Sequence, residues 1–317
     1  MKDNATMRTI TIGQTDLTVP ALGVGTWQWG DRGFWGYGKA YGRDEVAAAY
    51  QASRDAGLTF FDTAEIYGMG TSETIVGALA AQDPDPVVIA TKFAPMRLSA
   101  GALHGALTAS LKRLGRERVD LYQIHWPYGV IPIAPLMNAL ANEVAAGRVR
   151  AVGVSNYSAS QMRRAHAELA RRGVPLASNQ VHYSLLHRQP ERSGVLAAAR
   201  ELGVTLIAYS PLEQGILTGK YHPTAPDAPP PTPSRIVRRQ VGRAALGRTA
   251  PLIAALRAIG EAHGGKTPGQ VALNWLIHQG ALPIPGAKSA SQASANAGAL
   301  GWDLTGEEAE RLSKIAA

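Results

Sequence analysis

Eight short apolar runs, separated by amphipathic stretches in regular alternation, constrain this chain more than any other feature. They are Leu22–Trp27, Thr59–Asp62, Val87–Lys92, Leu121–His125, Ala151–Ser155, Ser178–His182, Thr205–Tyr209 and Leu282–Ile284. Several of them (VVIATKF, VRAVGVSN, VTLIAYSP) are continuously apolar, the pattern of parallel strands covered on both faces. Between them lie Ala/Leu/Arg-rich helical windows at Arg43–Ala56, Ser72–Ala81, Leu98–Leu114, Ile133–Ala146, Ser158–Arg172, Gln189–Leu202 and Pro251–Ala262. Ser72 precedes an apolar run, Ser158-Ala-Ser-Gln161 fits a capping box, and Gly57, Gly147, Gly173 and Gly203 stand where helices end. The alternation predicts an α/β chain forming a (β/α)8 TIM barrel, a single domain over residues 1–317. An open dinucleotide-binding sheet needs G-x-G-x-x-G after its first strand. The glycines at 36, 38 and 42 have another spacing and follow no strand. Ahead of the first run, TMRTITIGQTDLTVP reads as a β-hairpin turning near Gly13-Gln14, placed to plug the barrel floor. The proline-rich stretch Tyr221–Ser234 reads as a long βα loop, since the barrel pattern resumes after it.

Composition narrows the chemistry. The chain has 317 residues, no cysteine and a formal charge of +8. Disulfides, thiolate nucleophiles and sulfur-bound metals are excluded, and a cytoplasmic address is expected. No apolar stretch reaches the roughly 20 residues that span a bilayer, and MKDNATMRTI lacks a secretory apolar core, so no membrane partner is expected. The basic cluster of Arg235, Arg238, Arg239 and Arg243 has no aromatic neighbours and no nucleic-acid motif around it. A small polyanion such as a phosphorylated cofactor suits the charge better than a nucleic acid.

Barrel active sites lie at the C-terminal strand ends. The polar residues that end the runs here are Asp62, Lys92, His125, Ser155-Asn156, Gln180 and Tyr209-Ser210. A free phenol has a pKa of about 10, and a nearby ammonium lowers it. Tyr67 lies five residues beyond Asp62. Tyr67, Lys92 and Asp62 therefore make a candidate acid/base chain that protonates a nascent alkoxide, with His125 bonding the substrate oxygen. Singly, each has an ordinary structural explanation: a cap, a packed ring, a solvated ammonium, one histidine among eight. Together they make a pattern that chance does not readily supply.

With those residues in view, the chain resembles the aldo-keto reductase family. GVGTW (23–27), FFDTAEIYG (60–68), ATKF (90–93), DLYQIHWP (120–127), GVSNYS (153–158), SNQVHYSLLHR (178–188), AYSPLEQGILTGKY (208–221) and PIPGAK (283–288) match its blocks in order, from about residue 8 to 313. The blocks are most similar to the bacterial, plant and potassium-channel β-subunit branch. The resemblance implies an NADPH-dependent reductase of small-molecule aldehydes or ketones, as a monomer or homo-oligomer. It implies Asp62, Tyr67, Lys92 and His125 as the catalytic four, with Tyr67 the general acid. Tyr209 would stack on the nicotinamide, while Ser155, Asn156 and Gln180 would hold its carboxamide. Ser210, Pro211, Leu212, Gln214, Gly215, Leu217 and Lys220 would follow the pyrophosphate. Lys288 and Arg235 would take a 2′-phosphate, and Gln292 and Asn296 would lie by the adenine, where Ala295 replaces an expected acid. Thr26, Trp27, Asp62, Pro285 and Gly286 complete the implied cofactor contacts. Trp27, Tyr67, Phe93, His125, Trp126 and Tyr128 are the implied substrate contacts.

Three loops, Gly30–Tyr41, Tyr128–Pro132 and Tyr221–Arg243, would set substrate choice. The aromatic-rich first of these favours apolar or ring-bearing carbonyls, pyridoxal-like aldehydes included. Glu65 is expected to be structural. His182 and His187 lack the H-E-x-x-H setting of a metal site, so a metal-dependent hydrolase is disfavoured. An NADP(H)-binding regulatory subunit like the channel β-subunits is the remaining alternative, and the short stretch before the first strand weighs against it.

Overall fold

The computed structural model describes residues 7–94, 96–127, 130–221 and 243–316, with side chains from 247 onward in the last segment. It opens on an antiparallel hairpin, β1 (Thr9–Thr11) and β2 (Thr18–Pro20), in register Thr9↔Pro20. Eight strands follow: β3 (Val24–Gly25), β4 (Phe60–Asp62), β5 (Val88–Phe93), β6 (Val119–Ile124), β7 (Val149–Ser155), β8 (Leu176–His182), β9 (Thr205–Tyr209) and β10 (Leu282–Pro283). All pair in parallel with their sequence neighbours. The sheet curls until its edges meet, where Gly23 N donates to Pro283 O at 2.9 Å and Gly25 N to Pro285 O at 3.1 Å. This is the (β/α)8 barrel that the alternation predicts, and closure leaves no free strand edge.

Period-two alternation decides what each strand presents to the barrel axis. The lower interior is apolar: Phe60, Ala90, Leu121, Ala151, Ala177, Ile207, Leu282 and Ile284 pack together. Ile12, Leu17 and Val19 of the hairpin join that cluster, so the hairpin does close the floor. Two residues further up β4, β5 and β6 the inward positions become Asp62, Lys92 and Gln123, all buried. Polar groups therefore collect at the top of an otherwise apolar tube.

The outer layer comprises α1 (Arg43–Asp55), α2 (Thr71–Ala80), α3 (Ala102–Leu114), α4 (Ile133–Ala145), α5 (Ala159–Ala170), α6 (Gln189–Arg192), α7 (Val195–Leu202), α8 (Arg243–Ala262), α9 (Pro268–His278), α10 (Ala290–Ala297) and α11 (Gly306–Ile315). Ser158 and Gln161 form the expected capping box, and Gly57, Gly147, Gly173 and Gly203 all take positive φ. Several boundaries differ from expectation. The third helix begins at Ala102 rather than Leu98, and the window 189–202 breaks at Ser193-Gly194, where the backbone turns left-handed. α8 begins eight residues before Pro251, so the proline stands ninth of its twenty residues, inside the helix and not at its start. Ser72 lies inside α2, not at its cap. Its hydroxyl is buried against Thr26 O (2.9 Å) and Thr63 Oγ1 (2.9 Å) and braces the ends of β3 and β4. Of the proline-rich loop, 222–234 lies outside the described residues, as does most of the basic cluster from Arg235 onward.

Candidate active site

Asp62, Lys92 and Gln123 point inward from adjacent strands, and their chemistry is set by that shared burial. Lys92 Nζ donates to Asp62 Oδ1 at 2.5 Å and to Thr63 O at 2.8 Å. The second carboxylate oxygen accepts from Gln180 Nε2 at 2.7 Å and Gln123 Nε2 at 3.3 Å. Burial works against the Lys92 charge, but Asp62 and the Tyr67 hydroxyl outweigh it and leave the ammonium pKa raised. Lys92 is thus held cationic in a site with no water contact.

Tyr67 stands on the loop after β4, with its hydroxyl 3.4 Å from Lys92 Nζ. Its pKa differs from the expectation. Burial raises it, Lys92 lowers it, Asp62 raises it again, and the net shift is upward. The ammonium is already neutralised by a carboxylate 0.9 Å closer than the phenol, which is why it does not win. The phenol is therefore a held proton source, suited to giving up H⁺ only as negative charge develops on a substrate oxygen. His125, edge-on to Tyr67 with centroids 5.7 Å apart, is buried, and burial followed by the Lys92 charge pushes its pKa down to about 3. It is a neutral imidazole across the physiological range, and its Nδ1 has no partner.

These groups close the inner end of a cleft of about 650 Å³ on the C-terminal face of the barrel. Of the sequence-predicted cofactor residues, Thr26, Trp27, Asp62, Ser155, Asn156, Gln180, Tyr209, Ser210, Pro211, Leu212, Gln214, Gly215, Lys220, Pro285, Gly286, Lys288, Gln292 and Asn296 all line it. Leu217 does not; it is fully buried in the core between barrel and helices. Phe93 is likewise buried there, because alternation along β5 turns Lys92 inward and Phe93 outward, so it forms no part of the described cleft wall. Arg235 and Tyr128 lie outside the described residues. Glu65, as expected, is structural: Oε1 accepts from Ala94 N (2.6 Å) and Oε2 from Arg97 (2.8 Å). Among the described residues no group of three or more potential metal ligands occurs.

The cleft has the features an extended dinucleotide needs. At one end Tyr209 offers a ring whose hydroxyl is anchored 3.0 Å from Asn156 Oδ1. Asn156 Nδ2 in turn donates to Ser155 Oγ and His125 O. Along the middle, Ser210, Gln214 and Gly215 all have positive φ, a strained run that presents backbone to the cleft. Gly215 has φ 94°, which strains any residue with a Cβ, and a Cβ there would also push the flexible end of Lys220, 2.6 Å away. At the far end Lys220 and Lys288 repel each other, and α10 begins beside them at Ser289. Burial, then Lys220, holds the Lys288 pKa below its ordinary value. A phosphate there would pair with both ammonium groups and meet a helix N-terminus. Gln28 and Gln214 each leave a buried amide oxygen without a partner in the cleft wall.

Several residues of the site escaped the sequence reading. Gln123 left one signal, an amide at an inward position of an apolar strand. Gln28 left none. Trp35 and Phe34 belong to a loop recognised as aromatic, but their placement is tertiary. Asp31 Oδ1 caps the turn by accepting from Phe34 N and Trp35 N. Trp27 then stacks on Phe34 (5.0 Å) and meets Trp35 edge-on (5.5 Å).

A closed (β/α)8 barrel with a buried Asp–Lys pair behind a loop tyrosine, and a cleft shaped for a phosphorylated dinucleotide, defines a barrel oxidoreductase. The profile of the Aldo/keto reductase family matches residues 21–317, and the chain belongs to that family of NADP(H)-dependent oxidoreductases. It is 39% identical over 315 residues to the chloroplastic pyridoxal reductase of Arabidopsis thaliana, covering 95% of this chain and 84% of that one. An uncharacterized oxidoreductase of Mycobacterium tuberculosis is 40% identical over 299 residues, covering 94% and 90%. Among solved structures, the glycerol dehydrogenase AKR11B4 of Gluconobacter oxydans superposes with a TM-score of 0.84 at 28% identity, covering 97% and 94%. An aldo/keto reductase of Klebsiella pneumoniae in complex with NADP and acetate gives 0.77 at 32% identity, covering 98% and 95%.

Proposed function

We propose that this protein reduces the carbonyl group of ring-bearing or otherwise apolar aldehydes and ketones to the alcohol, with NADPH as reductant and Tyr67 as general acid. The observation that carries this reading is the Tyr67 hydroxyl 3.4 Å from the buried Lys92 ammonium, with the His125 ring edge-on beside it, at the closed end of the cleft. NADPH supplies the hydride. His125 and the Tyr67 hydroxyl converge on the substrate oxygen, which becomes an alkoxide as hydride arrives. Tyr67 then gives it a proton, and Lys92 stabilises the phenolate left behind, so the charge never faces the apolar wall alone. The reaction is reversible, and in the alcohol-oxidising direction Tyr67 would take the proton back as the phenolate that Lys92 stabilises.

The substrate class rests on the rim. Of the exposed large apolar side chains among the described residues, Trp27 and Trp126 line the cleft, and Met69, Met96, Leu98 and Val130 lie on the loops that follow β4 to β6. Charged substrates such as sugar phosphates gain little from such a mouth, whereas a ring stacks on Trp27 or Trp126. The similarity to a protein named pyridoxal reductase fits the same class. The reading treats the chain as one catalytic domain whose far-end lysines, Lys220 and Lys288, hold the 2′-phosphate. A panel of aromatic aldehydes, pyridoxal, aliphatic ketones and sugars, followed by NADPH consumption, tests it. Aromatic aldehydes should lead. Preference for sugars would reject the substrate class, and NADPH binding without turnover of any carbonyl would favour a regulatory subunit instead.

A further inference from the structure

The turn after β9 is strained where the cofactor cleft needs it, and one buried carboxylate holds it. Glu213 has φ 47°, Gln214 50° and Gly215 94°. Non-glycine residues in this region cost about 1 kcal/mol or more and persist only where surrounding contacts enforce them. The enforcing contact is visible. Glu213 is buried, and its Oε1 accepts from His182 Nε2 at 2.6 Å and from Ser184 Oγ at 2.6 Å. His182 ends β8, and its ring stacks on His187 (3.9 Å, 8°) and on Tyr209 (5.3 Å, 16°). Tyr209, Ser210, Leu212, Gln214 and Gly215 all line the cleft. One imidazole therefore touches both the carboxylate that fixes the turn and the ring that forms the cleft wall.

We propose that His182 is a positioning residue for the cofactor: in its protonated form it neutralises Glu213 and clamps both the Ser210–Gly215 turn and the Tyr209 ring in the shape that receives NADP(H). This rests on the reading of that turn and ring as the cofactor strap. The titratable groups facing His182 are Glu213 from the turn, His187 from the loop after β8 and Tyr209 from β9. Burial, then His182, lowers the His187 pKa against a smaller opposing effect of Glu213, while only the His182 ring reaches the Glu213 carboxylate, at 2.6 Å. When His182 loses its proton, an uncompensated carboxylate remains directly behind a turn that has to approach a pyrophosphate. Cofactor affinity should then fall.

The test is NADPH binding to the purified protein by tryptophan fluorescence, from about pH 5.5 to about pH 8.5, spanning the ordinary imidazole pKa of about 6.5. Wild type, His182→Gln, His182→Phe and Glu213→Gln are compared. His182→Gln keeps a donor but cannot titrate, so the ratio of its dissociation constant to that of wild type cancels the ionisation of the cofactor phosphate. That ratio should change several-fold across the range, and Glu213→Gln should be as flat as His182→Gln. His182→Phe keeps the stack but loses the donor. It should weaken NADPH about tenfold at the acid end, one charge-assisted hydrogen bond, while kcat at saturating cofactor changes far less. A ratio independent of pH, or His182→Phe binding within about twofold of wild type, overturns the clamp. Wild type failing to bind NADPH at any pH would overturn the cofactor reading as well. If His182→Phe fails to fold, the flatness of Glu213→Gln against wild type decides alone.

Discussion

Replacing Lys92 by methionine separates what the buried pair does for stability from what it does for chemistry. The Lys92 side chain is fully buried and that of Asp62 nearly so, with 2.5 Å between their charged atoms. Methionine fills similar volume but leaves the Asp62 carboxylate buried with only the Gln180 and Gln123 amides at 2.7 and 3.3 Å. An unpaired buried charge of this kind costs about 3–5 kcal/mol. At about 2 °C per kcal/mol for a chain of this size, the melting temperature should drop by roughly 6–10 °C. Changing Asp62 to asparagine in the same chain removes the orphaned charge, and most of that loss should return, because buried ion pairs are often replaceable by neutral residues at little net cost. Activity should not return: without the ammonium the phenolate of Tyr67 is unsupported, and carbonyl reduction should stay down by at least about a hundredfold in both variants. Calorimetry of the three proteins, with NADPH consumption at saturating cofactor, makes the measurement. A Lys92→Met protein as stable as wild type, or a double variant less stable than the single one, would refute the electrostatic reasoning.

Three further outcomes are expected. Tyr67→Phe should lose about 10²–10⁴ in kcat while NADPH affinity, read by fluorescence quenching, stays within about twofold, because the hydroxyl faces the substrate oxygen; near-normal turnover would remove Tyr67 from its role. Lys288→Ala should weaken NADPH about tenfold or more and NADH hardly at all, with equal losses counting against a 2′-phosphate site. Because the folded His125 has a pKa of about 3 against about 6.5 unfolded, the neutral ring's contribution is fully present above about pH 6.5 and is lost as pH falls towards 3. His125→Gln should therefore flatten the acid side of a stability–pH curve measured by urea denaturation, and an unchanged curve would mean another group controls it.

The fold was legible to an unusual degree because parallel barrel strands are buried on both faces and read as uninterrupted apolar runs. The hairpin was legible through its own alternation. The final helices α9, α10 and α11 were not assigned from sequence; α9 is apolar nearly all round, so no amphipathic stripe marks it. At the site, Asp62, Lys92 and His125 were legible because each interrupts an apolar run at a strand end, where a barrel gathers its chemistry. The pairing of Glu213 with His182 left no such mark, since the two residues are 31 positions apart and meet only when β8 and β9 lie side by side.

The sequence alone therefore determined the barrel and named most of the residues that line the cleft. Tertiary structure decided the sign of the Tyr67 pKa shift and the neutrality of His125. Each of these depends on how much water and how many charges reach one atom, a quantity set by the packing of several strands together. FFDTAEIYG names its acid and its phenol; only the closed barrel sets the 2.5 and 3.4 Å that divide one ammonium between them.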